Sequence, residues 1–142
     1  LGFQQVADEY GSTPAGGAAK FYLGVCYHQK GEWETALNYY KEADLDDDIL
    51  RVMAVGNQGD VLVELGRPDE AVRQFEKAAN MVRSDYTTPM FLWKAGVVYR
   101  QQNDHANAAK CFRRIATDFP ASPVVQQARK YAAYSEAMSG QG

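Results

Sequence analysis

The chain has little of what most catalytic and nucleic-acid-binding proteins need. It holds two cysteines, Cys26 and Cys111, too few for a disulfide framework and without metal-site spacing. Both fall in helical patterns, where a free Cys usually serves as a small buried hydrophobe. The two histidines, His28 and His105, lie far apart with no Cys or carboxylate at ligand spacing, so they read as structural or surface residues. Cationic residues are not in excess: 15 Lys and Arg against 18 Asp and Glu leave a net charge of −3. Nucleic acid, which needs a basic stripe to displace counterions, is excluded as a partner. No apolar run approaches the roughly 18 residues that would cross a bilayer, and no signal peptide is present. Direct membrane contact by this segment is therefore not expected.

Chemistry-bearing motifs are equally scarce. No stretch alternates with period two between hairpin turns, so strands are not expected. Without a strand there is no phosphate-cradling loop, and Gly11 to Gly17 reads as a helix start. Serine and histidine never share a nucleophile-elbow context. The acidic run Asp44, Asp46, Asp47, Asp48 lacks the central Gly and distal Glu of a calcium loop. It reads as a junction that places acids at the next helix N-terminus. No enzymatic activity, cofactor or metal is expected.

What is present is self-similarity. At 142 residues, 46% hydrophobic and 23% charged, the chain has the length and composition of one soluble domain. Three blocks align within it: Leu23 to Ala43, Gln58 to Ala78 and Ala95 to Ile115. Gly24, Gly59 and Gly96 fall in register, 35 and 37 residues apart, and so do Ala36, Ala71 and Ala108. A mid-helix Gly costs about 1 kcal/mol against Ala, so its recurrence points to a neighbouring helix that approaches too closely for a side chain. Tyr27, Leu62 and Tyr99 follow three residues later on the same face. Tyr40, Phe75 and Phe112 follow the alanines by four residues, giving each second helix a small-then-bulky ridge against the helix before it.

The helix boundaries agree with paired helices. Thr13-Pro14, Thr88-Pro89 and Ser122-Pro123 each offer an N-cap hydroxyl followed by Pro in the first turn. Gly31, Gly66 and Asn103 occupy the turn inside each pair, where a left-handed C-cap residue is wanted, and Asp104 can cap the helix after it. Residues Phe3 to Pro14 also match Phe112 to Pro123, three repeats further on. Because the chain opens on Leu1 inside such a helix, it is expected to be a piece of a longer protein. The expected layout is the end of a preceding repeat over 1–11, pairs over 14–46, 49–83 and 89–119, a C-terminal capping helix over 123–138, and a frayed tail from Ser139 to Gly142.

These blocks resemble the tetratricopeptide repeat, whose signature runs W-x2-L-G-x2-Y, then A-x3-F, then P. Leu23-Gly24-x2-Tyr27 with Ala36 and Tyr40, Gly59 with Ala71 and Phe75, and Gly96-x2-Tyr99 with Ala108, Phe112 and Pro120 carry the resemblance, while Gln58, Leu62 and Ala95 depart from it. The fold so implied is an all-α tetratricopeptide superhelix, an α-α solenoid of about three full helix pairs. The phrases DEYGST, LGVCYHQKGEWETAL and DFPASPVVQQARKYAA more narrowly resemble membrane-anchored bacterial envelope proteins of the Bacteroidetes-type, YfgM-like group. That narrower resemblance implies a cell-envelope location, tethered through an N-terminal segment outside this sequence, in preference to the cytoplasm.

In the tetratricopeptide family the first helix of each pair lines a concave groove. Carried over position by position, the groove comprises Phe21, Tyr22, His28, Met53, Asn57, Asp60, Glu64, Met90, Trp93, Lys94 and Arg100. Phe21, Met53, Met90 and Trp93 are its apolar anchors, although aromatics at helical spacing are more often core. Some members clamp a chaperone's C-terminal carboxylate with Lys, Asn and Arg. Only Asn57 and Lys94 match that set, while Phe21, Val25 and Met90 depart, so an amphipathic helix or extended apolar segment is the better expected ligand. The function read from the sequence is a protein-interaction scaffold of a bacterial envelope complex. The alternative is a self-associating structural module of an outer-membrane assembly-type lipoprotein.

Overall fold

A computed structural model describes residues 2–11 and 13–140. Among them the chain forms helices and no strand: α1 (Gly2–Glu9), α2 (Pro14–Gln29), α3 (Trp33–Glu42), α4 (Asp48–Glu64), α5 (Pro68–Met81), α6 (Thr87–Gln101), α7 (His105–Asp118) and α8 (Val125–Gly140). The architecture is all-α, of the helix-pair solenoid class. Leu1 at the head of the expected opening segment, and Gln141 and Gly142 of the expected tail, lie outside the described residues. The rest of that tail, Ser139 and Gly140, is the last turn of α8.

The chain divides into two compact units, Leu1–Gln74 and Phe75–Gly142. In the first, Ala7, Ala19 and Leu23 form a buried cluster bordered by Val6, Tyr27 and Tyr39. Tyr27 and Tyr39 stack face to face at 5.5 Å, and the Tyr39 hydroxyl donates to Gln4 Oε1 at 2.9 Å, tying α3 to α1. In the second unit Phe91, Phe112, Ile115, Ala128 and Ala132 are buried, and α8 covers α7. Full burial of an aromatic or branched side chain contributes about 1.5–3 kcal/mol, so each unit holds a core of its own.

The glycine register has the predicted cause. A Cβ on Gly24 would stand 2.7 Å from Cδ1 of Tyr40, and one on Gly96 would stand 2.7 Å from Cζ of Phe112. Tyr40 and Phe112 thus lie directly against the glycine of the helix before them. Gly31, Gly66 and Asn103 adopt positive φ of 75°, 71° and 60° and turn the chain inside each pair. Thr13 caps α2 by accepting from the Gly16 N–H at 3.2 Å, Asp47 caps α4 through the Leu50 N–H at 2.9 Å, and Asp104 caps α7 through the Asn107 N–H at 3.2 Å. Asp48 of the acidic run pairs with Arg51 at 2.9 Å.

Three local expectations are corrected. Thr88 is not an N-cap: it lies fully buried inside α6, accepts from the Ser84 N–H at 2.9 Å and donates to the Val82 carbonyl at 3.3 Å. The Ser84 hydroxyl caps instead, accepting from the Tyr86 and Thr87 N–H groups at 3.1 Å each. Ser122 and Pro123 belong to a turn, and α8 begins only at Val125. Cys26 is exposed, whereas Cys111 is buried as expected.

Candidate partner-binding surface

The proposed groove residues divide between the two units. In the first, Phe21 is 6% exposed and packs against Tyr22 and Tyr40, so its ring belongs to the core. Tyr22, 41% exposed, stacks at 5.5 Å on Phe3, which is 47% exposed. His28 Nδ1 lies 3.0 Å from the Tyr40 hydroxyl, and its ring meets Trp33 edge-on. Burial first, eased by a hydrogen bond with Asn57, pushes the Tyr40 phenol up to about 12. It is therefore neutral at every physiological pH. Met53, Asn57 and Asp60 are half-buried along α4, and Glu64 is exposed at its end.

In the second unit, Trp93 is half-buried, edge-on to Phe112 at 5.2 Å and tilted against Tyr131 at 5.4 Å. Arg100 lies over Tyr131 and Tyr134, 4.5 and 5.1 Å from the ring centres. Helix α8 thus covers part of the α6 face that the sequence assigns to the groove. Lys94 sits 6.0 Å from the Phe75 ring.

Toward the start of α6 the surface opens again. A cleft of about 720 Å³ lies between Tyr86, Pro89, Met90, Trp93 and Lys94 on one side and the chain from Asp118 to Val124 on the other. The α6 wall exists because those positions recur at i, i+4 and i+8 and so share one helical face. The opposite wall exists because Phe119 leaves the helix, with φ −130° and ψ 59°, and Pro120 and Pro123 prevent its resumption. Phe119 is buried and carries the Arg83 guanidinium 4.7 Å above its ring. Asp118 is engaged by Arg114 at 3.6 Å and by Arg83 at 4.0 Å. Tyr86, 88% exposed, stands on the rim.

The sequence brings Met90, Trp93 and Lys94 to this cleft and misses the rest. Tyr86, Pro89 and the wall from Phe119 to Val124 carry no groove signal in a three-block alignment, because the last connection has no counterpart of known shape. The one available signal is the pair of prolines, Pro120 and Pro123, around an aromatic exit from a helix.

Among the described residues no group of three or more His, Cys, Asp and Glu side chains could hold a metal ion. Cys111, the buried thiol, lies with its Sγ 3.8 Å from Glu76 Oε1, and burial followed by the nearby carboxylate pushes it up to about 12. A thiol held protonated is a poor nucleophile. Among the described residues no helix is long and apolar enough to cross a membrane.

Paired helices, a packed core in each unit and an open apolar cleft define a helical domain of the protein-interaction class. Within that class, the chain belongs to the family described as T7SS, ESX-1 secretion system protein EccA1, N-terminal domain, whose model matches residues 3–137. This corrects the affiliation drawn from the sequence: the matching family is neither the tetratricopeptide repeat itself nor the YfgM-like envelope group, although the helix-pair architecture stands. The phrases taken for envelope signatures are helix-pair packing and punctuation, which any such solenoid needs. No curated protein matches the chain.

Proposed function

We propose that this domain works by binding rather than by chemistry, holding a segment of another protein of a type VII secretion system against the first helices of its pairs. In the second unit the seat is the cleft at the start of α6. The observation that carries this reading is the cleft itself, about 720 Å³ with Trp93, Met90 and Tyr86 on its wall and rim. Trp, Tyr and Met are enriched at interaction hot spots, and a cleft of this size sits within the range of ligand seats. Met53, Asn57, Asp60 and Glu64 along α4 give the first unit a half-exposed face of mixed character for the same use.

The family supports the reading, since a secretion apparatus must select and hand on polypeptides. Its test is capture from a lysate that contains type VII secretion proteins, with wild-type and Trp93→Ala baits side by side. Trp93→Ala should lower capture of a specific secretion protein by tenfold or more, roughly what a hot-spot aromatic contributes, while far-ultraviolet circular dichroism stays nearly unchanged. Equal capture by the two baits would remove the cleft from the binding surface.

A further inference from the structure

Charge is divided unevenly between the two units. Residues 1–74 hold 13 Asp and Glu against 6 Lys and Arg, a net charge of −7. Residues 75–142 hold 9 Lys and Arg against 5 Asp and Glu, a net charge of +4. The modest −3 of the whole chain therefore conceals two units of opposite sign.

The positive charge of the second unit gathers on one face. Lys110, Arg113, Arg114 and Thr117 recur at i, i+3, i+4 and i+7, so they share a side of α7, and they line one hollow with Asp118 and Glu136. Helix α8 borders this face: Arg113 bonds Glu136, and Arg129, seven residues before Glu136, lies on the same side of α8. Helix α5 borders it as well. Arg114 donates to Asn80 Oδ1 at 2.6 Å, and Lys77, three residues earlier, shares the side of α5 that carries Asn80. Arg83, just past α5, reaches Asp118. Six cations thus meet two carboxylates here, Asp118 and Glu136. The unit's other acids are used elsewhere: Glu76 takes the Cys111 thiol and the Tyr99 hydroxyl, Asp104 caps α7, and Asp85 borders the cleft. Lys77, Lys110 and Arg129 are exposed and have no carboxylate within ion-pair distance among the described residues.

The first unit supplies the complement. Glu42, Asp44 and Asp46, at the end of α3 and just after it, are exposed and have no cation within ion-pair distance among the described residues. Their neighbours are already engaged, Asp47 as the cap of α4 and Asp48 with Arg51. Uncompensated charges of both signs on one polypeptide are present in equal amounts, so a second copy is the occupant that the charges themselves specify. Nucleic acid, a polyanion, would be repelled by the first unit.

We propose that the basic face of α5, α7 and α8 docks the acidic first unit of a second copy of this chain, around Glu42 to Asp46, so that copies associate head to tail. Such an interface is heterologous: each copy in a pair keeps one unused face, and association continues unless a ring closes. This docking needs nothing from the cleft, with which the basic face shares only Asp118. Exposed ion pairs are individually weak, so the association is reversible and governed by salt. Charges act over about 30 Å at roughly 0.01 M salt but only about 3 Å at roughly 1 M.

The test is sedimentation velocity of the whole chain over a concentration series at those two salt levels. At low salt the mean mass should rise with concentration, and the apparent association constant should fall by about tenfold or more at high salt. Two triple variants identify the faces. Lys77→Gln, Lys110→Gln and Arg129→Gln remove three charges and leave the second unit at +1. Glu42→Lys, Asp44→Lys and Asp46→Lys reverse three charges and leave the first unit at −1. All six side chains are exposed, so each variant should keep the far-ultraviolet circular dichroism of wild type. Each alone should need about tenfold more protein to associate. Mixed at low salt, the two should recover binding as a pair that grows no further, because one retains the acidic face and the other the basic face. Wild type that stays monomeric at low salt and high concentration overturns the proposal. Association that survives high salt, or that both variants share undiminished, overturns it too, since charge would not then hold the copies together. A mixture of folded variants that stays apart would show that these two faces are not the pair.

Discussion

Single residues in this chain have sharply defined tasks. Gly96 is the clearest: the ring of Phe112 that faces it is fully buried and held from the side by Trp93 and Tyr131. Ala in place of Gly would gain about 1 kcal/mol of helix propensity, but forcing a methyl to 2.7 Å from a confined ring costs about 1–3 kcal/mol. Gly96→Ala should therefore lower Tm by several degrees, whereas Gly140→Ala, with nothing within 4 Å of the added carbon, should leave it unchanged or raise it. A stabilised Gly96→Ala would mean that the two helices are not in close contact there. Cys111 and Cys26 invite a second comparison at this scale. With Cys111 buried and its thiol pushed up to about 12, iodoacetamide at pH 8 should modify one cysteine, Cys26, in the folded chain and both in denaturant, as counted by mass spectrometry. Rapid double labelling of folded protein would contradict the burial. Gly24 and Gly96 were legible in the sequence because aligned copies repeat a small residue at the same helical position, and both meet a ring there. The two cysteines looked alike there because helical periodicity does not say which face of a helix a neighbour covers.

Elements add capping and inter-helix pairing. The helix ends marked by Thr13, Asp104 and the positive-φ residues were readable, since a cap is a local hydrogen bond between near neighbours in sequence. The start of α6 was not: Thr88 looks like a cap beside Pro89, yet the chain before it folds back so that Ser84 reaches the free N–H groups first. That choice depends on burial of Thr88, which no local pattern encodes. The join of α7 to α8 has the same character, because Arg113 and Glu136 pair across two helices. The hydrogen bond from Arg113 holds the Glu136 carboxyl below its ordinary range, as Arg67 does for Glu70. A carboxylate depressed in the folded state contributes stability above its unfolded pKa, about 4.3, and loses it as pH falls through the lower folded value. Wild type should therefore exceed Glu136→Gln in Tm by a small, salt-sensitive margin at pH 7, and the two should converge below about pH 4. A margin that persists at pH 3 would show that the side chain contributes by packing and not by charge.

At the scale of the molecule, the helix-pair class was legible and the finer affiliation was not. Residues that pack pairs, such as Gly24 on Tyr40 and Gly96 on Phe112, serve every helix-pair solenoid alike and so carry the class more strongly than the family. The cleft escaped for the opposite reason: half of its wall is the Phe119 to Val124 connection, whose course depends on where α8 docks. In repeat architectures stability is a sum of local terms, each unit depending mostly on its immediate neighbours. Here Gly96 and Phe112 belong to the second unit, while Ala7, Ala19 and Leu23 form their cluster in the first. A lesion at Gly96 should accordingly open α6, α7 and α8 more than α2 and α3. Hydrogen exchange on Gly96→Ala, compared with wild type at the same pH and temperature, should show protection falling most across residues 87–140. Equal loss along the whole chain would mean that the two units unfold as one cooperative block, and a partner seated in the cleft would then stabilise both.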